Sequence, residues 1–383
     1  MRSIESAENS ARLAPPSRWQ PSVGACDRWD EQMLAWKRCQ RRAGRSLHHD
    51  WDSVEAARRY WENVWLHQPE RLELLLSRLK PAAGRRILDI GSGPGVLAIP
   101  LAEAGASVTA VEPSAAMLDV LREKAAQRKT PEINCVNLRW EQIRPERDLN
   151  SHQPFDLVVA SLSLLVVGLR ESLLKMRQVC VPGGRILLLW SRADNLWTEE
   201  LHWLYPELYG IEYLPKPGAE LLLQAINELQ AELDSSSRKD FQPATKEKID
   251  VRSESSPHPL KLISNLSYSG SGGQTLKASH LSANGVTSKP LRQYLPEENQ
   301  PASNSPCAPA QIKAEEVEFI YRESFGSKAE ALRHFQDYFG INGNDLRRTA
   351  IIEKFLIRNL VWRDGVWLLE HPVPALLISW QLA

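Results

Sequence analysis

From Trp51 to Leu79 apolar residues recur at helical spacing (Trp51, Val54, Ala57, Trp61, Val64, Trp65, then Leu72, Leu74, Leu75 and Leu79), which predicts two helices. Short apolar runs of strand length follow: RRILDIGS (85–92), SVTAVEP (107–113), INCVNLRW (133–140), FDLVVAS (155–161) and GGRILLLW (183–190). Helical patterns stand among them, one up to about Glu103, one from Ser114 to about Arg128 and one from Glu171 to Val179. Strands apolar almost throughout, alternating with helices, predict an α/β fold whose parallel sheet is covered on both faces.

After Trp190 the pattern becomes aromatic, DNLWTEELHWLYPELYG (194–210), and then helical from about Gly218 to Leu233, which reads as a cap inserted after the fifth strand. Residues 234–310 hold fifteen Ser, eight Pro and no Trp, a composition that cannot offset its ordering entropy by burial and predicts a disordered insert. Strand pattern resumes at EVEFIYRESF (316–325), helices are predicted near 327–339 and 344–360, and LLISWQL (376–382) closes the chain, with Pro372 and Pro374 marking the entry to that last strand. The expected organisation is a loose N-terminal tail and helix over 1–45, a core with lid and cap over 46–233, the insert over 234–310, and the rest of the core over 311–383.

Composition narrows the functional classes. Lys plus Arg and Asp plus Glu are both 47, so no global field draws the chain to nucleic acid or anionic lipid. The basic run KRCQRRAGR (37–45) reads as a solvated helix face, so a nucleic-acid partner is not expected, while a protein partner stays open. Five scattered cysteines without a CxxC pair predict neither a disulfide framework nor a metal site, which fits a cytoplasmic location. The start of the chain lacks a signal-peptide pattern. The longest uncharged apolar run, Leu157 to Leu169, falls short of the ~20 residues of a spanning helix, so no membrane partner is expected.

The chemistry sits in Leu88-Asp89-Ile90-Gly91-Ser92-Gly93-Pro94-Gly95, at the end of a strand and the start of a helix. Glycines there permit a tight turn and close backbone approach to a ligand. Glu112 ends the next strand, placed to accept hydrogen bonds from both ribose hydroxyls of an adenosine. Val96 stands where the dinucleotide pattern wants a third small residue. Asp89 would repel a pyrophosphate, yet it suits the ammonium of a methionine moiety. Residue types and charge thus favour S-adenosylmethionine over a dinucleotide.

These residues resemble the class I S-adenosylmethionine-dependent methyltransferases of the small-molecule type, over about residues 84–192. The resemblance implies a Rossmann-like, seven-stranded, mostly parallel sheet with an antiparallel last strand, here LLISWQL, and a helical N-terminal lid. It further implies that Asp89, Gly91, Ser92, Gly93 and Gly95 surround the methionine and adenosyl parts. Glu112 would take the ribose, and Pro113, Ser114 and Met117 the adenine, together with Trp140 and Glu141 from the loop after the third strand. Trp140 is expected at the adenine edge and not in the core. Ser161 opens the loop that lines the methyl-transfer position, and the absence of an Asn/Asp-Pro-Pro-Tyr sequence there disfavours base and glutamine-amide substrates. The expected reaction is methyl transfer to a small-molecule acceptor.

His202, Tyr205 and Tyr209 in the aromatic segment are candidates for a substrate cap with a general base, against helix packing as the plainer reading. Trp51, Trp61, Trp65, Trp190, Trp197 and Trp203 are candidates for an aromatic acceptor pocket or for core. Two other functions stay open at this point: an NAD-dependent oxidoreductase, and a methyltransferase-like protein that binds the cofactor or a partner without turnover.

Overall fold

The computed structural model describes residues 24–45, 51–81, 83–149, 154–193, 196–239 and 309–383. Three helices lead in: α1 (Ala25–Arg42), α2 (Val54–His67) and α3 (Pro69–Leu79). The core then alternates β1 (Arg86–Ile90), α4 (Ala98–Glu103), β2 (Ser107–Val111), α5 (Ala115–Arg128), β3 (Asn134–Val136), α6 (Pro145–Asp148), β4 (Phe155–Ser161), α7 (Leu169–Val179) and β5 (Cys180–Ser191). The cap helices α8 (Leu196–Tyr209) and α9 (Ala219–Lys239) follow, and then β6 (Gln311–Phe325), α10 (Lys328–Phe339), α11 (Leu346–Asn359), β7 (Leu360–Arg363) and β8 (Val366–Gln381).

The sheet order is β3-β2-β1-β4-β5-β8-β6, with β7 on β8. Pairing from β3 to β5 is parallel, while β8 runs antiparallel to β5, β6 and β7. Strand alternation sorts the core into two layers. Leu88, Ile90, Val158, Ala160, Ile186, Leu188 and Trp190 face one side and pack with residues of α1, α7 and α9. Ile87, Val108, Ala110, Leu157, Val159, Leu187 and Leu189 face the other and pack with α3, α4 and α5. This is the parallel sheet with helices on both faces and an antiparallel last strand that the sequence predicts.

Four expectations are corrected. Among the described residues the sheet has eight strands, because α11 stops at Asn359 and β7 turns back into β8 through Asp364 and Gly365, whose φ values of 53° and 84° suit a tight two-residue hairpin turn. Pro372 and Pro374 lie inside β8 and do not begin it. They stand two apart, so both missing N–H groups face one side of the strand, where β7 pairing has ended at Leu369 and β5 pairing has not begun until Ala375. The N-terminal helix is no loose appendage: Trp29 and Met33 are fully buried in the sheet core, and the Trp29 indole N–H donates to the Val166 carbonyl at 3.1 Å. Finally, α9 continues through residues 234–239, past the expected start of the insert. Residues 240–308 of that insert, and residues 1–23 of the expected tail, lie outside the described residues.

The cap is shared between distant segments. Leu201, Leu204, Tyr205 and Leu208 of α8 pack with Phe335 and Phe339 of α10, Ile352 and Phe355 of α11, and Phe325 and Leu369 of the long strands.

Candidate functional site

The sheet order reverses direction between β1 and β4, and in open α/β sheets ligands bind at the carboxyl ends of the strands beside such a switch point. A cleft of about 480 Å³ opens there. Of the twelve residues expected to hold the cofactor, Asp89, Gly91, Ser92, Gly93, Glu112, Pro113, Ser114, Met117, Trp140, Glu141 and Ser161 line it.

The loop after β1 is shaped by its glycines. Gly91 has φ 68°, and a Cβ there would lie 2.3 Å from the Ser163 Cβ, so backbone angle and neighbouring chain both require glycine. Gly95 is the exception among the expected residues, because it does not line the cleft. Its φ is 87°, and a Cβ would fall 2.7 Å from Leu121 Cγ, so this glycine lets α5 pack closely under the loop.

Two carboxylates define the electrostatics. Glu112 accepts hydrogen bonds from the Gly93 N–H at 3.0 Å and the Ser114 N–H at 2.9 Å, which ties the ends of β1 and β2 together. Burial raises its pKa, and those two amides act against the rise. Asp89 is 2% exposed, and its Oδ2 has no hydrogen-bond partner among the described residues. Burial first, and the Glu112 charge second, push its pKa up to about 7. The Ser161 hydroxyl, at the end of β4, is likewise buried without a partner. A buried carboxylate oxygen and a buried hydroxyl left unpaired on one cleft wall are costly unless a polar ligand completes them.

The adenine-side residues have structural duties too. Ser114 accepts the Met117 N–H, capping α5, and donates its hydroxyl to the Trp51 carbonyl at 2.6 Å, which moors the lid. The Asn137 amide donates to the carbonyls of Glu112 and Pro113 at 3.0 and 2.9 Å and fixes the loop after β2. Trp140 departs from expectation, because it is 4% exposed and belongs to the sheet core while also lining the cleft. Its indole N–H donates to the Ser172 carbonyl at 3.3 Å, and the Lys175 ammonium sits 5.1 Å from its ring centre. Trp140 is therefore a core residue that turns part of itself to the cleft.

The catalytic candidates in the aromatic segment are not cleft residues. Tyr205 is fully buried and donates its hydroxyl to Gln40 at 2.6 Å; Tyr209 donates to the Phe339 carbonyl at 2.6 Å; His202 meets Tyr213 edge to face. All three serve cap packing, as an amphipathic helix rich in aromatics does when another layer covers it. The tryptophans divide. Trp51 lines the cleft, Trp61 and Trp65 stack on each other at 4.9 Å, Trp190 is buried against Trp29, and Trp197 and Trp203 pack in the cap. The basic run divides as well: Lys37 faces the cleft, and Arg45 lies 4.1 Å from the Tyr338 ring centre.

Sequence reasoning missed Arg71 and Tyr60. Arg71, on α3, lines the cleft at 6% exposure, with its guanidinium 3.4 Å from the Tyr60 hydroxyl and 3.5 Å from Gln68 Oε1. Among the described residues no carboxylate pairs with it. The signal that could have found it is an arginine on the apolar side of a predicted amphipathic helix.

Residues 87–184 match the family model of the methyltransferase domain. An uncharacterized methyltransferase of Mycobacterium tuberculosis is 35% identical over 137 residues, which cover 35% of this chain and 51% of the relative. A ubiquinone biosynthesis O-methyltransferase of Alkalilimnicola ehrlichii is 32% identical over 179 residues, covering 45% of this chain and 64% of the relative. The first of these matches thus spans about half the relative's length. The crystal structure of a putative methyltransferase from Bacillus halodurans aligns over 82% of this chain and 98% of its own, with TM-score 0.42 and 12% identity. The match places a methyltransferase domain at residues 87–184, the stretch that carries the glycine loop, the acids at the ends of β1 and β2 and the reversal between β1 and β4.

Proposed function

We propose that this protein transfers the methyl group of S-adenosylmethionine to a small-molecule acceptor. The observation that carries the reading is Asp89 Oδ2, a buried carboxylate oxygen without a partner on the wall of a glycine-loop cleft. An ammonium supplies the opposite charge and the hydrogen bond that this oxygen lacks. Arg71, buried in the same cleft without a carboxylate, suits the carboxylate of the same amino-acid group. Glu112 has lone pairs left after its two backbone amides and suits a ribose diol, while Met117 and Trp140 offer apolar surface to an adenine. The bound sulfonium supplies the electrophilic methyl carbon. The chain's part is to hold donor and acceptor in line and to exclude water, and alignment of that kind contributes much of the rate without an obligatory base.

A dinucleotide oxidoreductase is disfavoured on the same ground, because a pyrophosphate beside Asp89 and Glu112 would add negative charge to a buried acidic pair. A small acceptor is supported by the relatives named for ubiquinone biosynthesis. The test is thermal: S-adenosylmethionine should raise the melting temperature and NAD should not. Stabilisation by NAD alone would overturn the proposal.

A further inference from the structure

Once Asp89, Arg71 and Glu112 are assigned to the methyl donor, Lys37, Asp52, Arg139 and Glu141 are the other charged side chains on the cleft wall, and Lys37 is the one that α1 supplies. Lys37, on α1, lines the cleft half-buried, and among the described residues it has neither a hydrogen bond nor an ion pair. Its place is fixed by the helix that carries it. Asp30 of α1 accepts the N–H groups of Gly168 and Leu169 at 2.9 and 3.1 Å, and Trp29 holds the Val166 carbonyl, so α1 is clamped over the loop that follows β4. Lys37 stands two helical turns beyond Asp30 and so leaves α1 on much the same face.

The same cleft has an apolar stretch: Leu164, Leu165 and Val166 from that loop, with Trp36 next to Lys37 in sequence on α1. Leu162, at the start of the loop, has φ 57°, a left-handed conformation costly for a leucine and of the kind found where a loop is held for function. The charged groups that act on Lys37 are two carboxylates, Glu141 and Asp30, and two guanidinium groups, Arg139 and Arg41, and Asp30 already accepts two amides. Burial lowers the Lys37 pKa, which marks the ammonium as partly stripped of water.

We infer that Lys37 is the counter-ion for an anionic group on the methyl acceptor, whose remaining body is apolar and lies against Leu164, Leu165 and Val166. The inference rests on reading the cleft as the S-adenosylmethionine site. It names the acceptor class as an amphiphilic acid, with its charged end at α1 and its methylated atom over the loop after β4.

A matched pair of probes tests it: 8-anilino-1-naphthalenesulfonate, which is anionic, and N-phenyl-1-naphthylamine, which has the same ring system without the sulfonate. Both are titrated by fluorescence into the full chain, with and without saturating S-adenosylhomocysteine. Lys37→Gln should weaken the sulfonate about 10-fold or more and the neutral amine less than about 2-fold, since only the former loses a charge-assisted contact. Lys37→Arg should restore most of the loss, and in the unaltered chain added salt should weaken the sulfonate alone. Equal effects on both probes, or none on either, would overturn the inference; so would a Lys37→Gln protein that folds but loses S-adenosylhomocysteine, which would assign Lys37 to the donor. Should Lys37→Gln fail to fold, a sulfonate affinity insensitive to salt in the unaltered chain overturns the inference, and loss of affinity confined to the sulfonate supports it. If S-adenosylhomocysteine does not bind at all, the donor reading fails by itself, and the probe titrations without it still decide the role of Lys37.

Discussion

Replacing Asp89 by Asn should stabilise the ligand-free protein and weaken donor binding at the same time. In the folded chain burial holds the proton on this carboxyl up to about pH 7, whereas an unburied aspartate loses it near 3.8. An unfolded chain therefore releases the proton first, and stability falls as pH rises from about 4 to about 7, with the full cost present above that. A shift from 3.8 to about 7, at roughly 1.4 kcal/mol per unit, sets that cost near 4 kcal/mol as an order-of-magnitude upper value. Asn fills the same space and cannot ionise. The gain over Asp should thus be under about 1 kcal/mol near pH 4 and several-fold larger near pH 8. Urea unfolding of both proteins across that range, without ligand, measures the difference directly. A gain that does not grow with pH would refute the reasoning, because Asp89 would then be neither desolvated nor unpaired in the folded chain.

Trp140→Ala should cost about 3 to 5 kcal/mol in chemical denaturation, as for a large aromatic in a core, and should also reduce donor affinity; unchanged stability would remove it from the core. Gly91→Ala and Gly95→Ala should both lower the melting temperature, since each residue has positive φ and a Cβ would meet Ser163 at 2.3 Å or Leu121 at 2.7 Å; an unchanged melting temperature in either would remove the steric reading. Tyr205→Phe should cost about 1 to 3 kcal/mol of stability, because its hydroxyl donates to Gln40 and accepts from Arg45, and should leave donor binding and turnover intact; a collapse of turnover in a stable protein would return Tyr205 to the active site. Replacing residues 240–308 by a flexible linker of about a dozen residues should leave melting temperature and donor affinity nearly unchanged, because loop closure changes by only ~2 kcal/mol over such a shortening.

The central sheet was legible in the sequence for a plain reason. Strands covered on both faces are continuous runs such as FDLVVAS, and each is cut off by turn residues or a helix. The glycine loop and Glu112 were legible because they follow two such strands directly. What stayed hidden depends on contacts between distant segments. The β7–β8 hairpin was obscured because Leu360 continues the apolar spacing of α11, and the Asp364-Gly365 turn outweighs that periodicity only once β6 is there to pair with β8. Lys37 carried no local signal, and Arg71 only that of an arginine on the apolar side of a short helix. A lysine in a basic run and an arginine on a short helix look solvated until α1 and α3 fold over the carboxyl ends of the strands. The aromatic segment misled in the opposite direction, because its polar side chains are taken up by packing partners: Tyr209 by Phe339 of α10, more than a hundred residues further along, Tyr205 by Gln40 of α1, and His202 by Tyr213.

The most direct test of the donor site is calorimetric titration of S-adenosylhomocysteine into the unaltered protein and into Asp89→Asn and Glu112→Ala. The account predicts saturable binding at one site per chain, weakened about 10- to 100-fold in each variant, the loss expected for a hydrogen bond to a charged group. Binding of equal strength in all three proteins, or no binding to the unaltered chain while NAD binds, would contradict it.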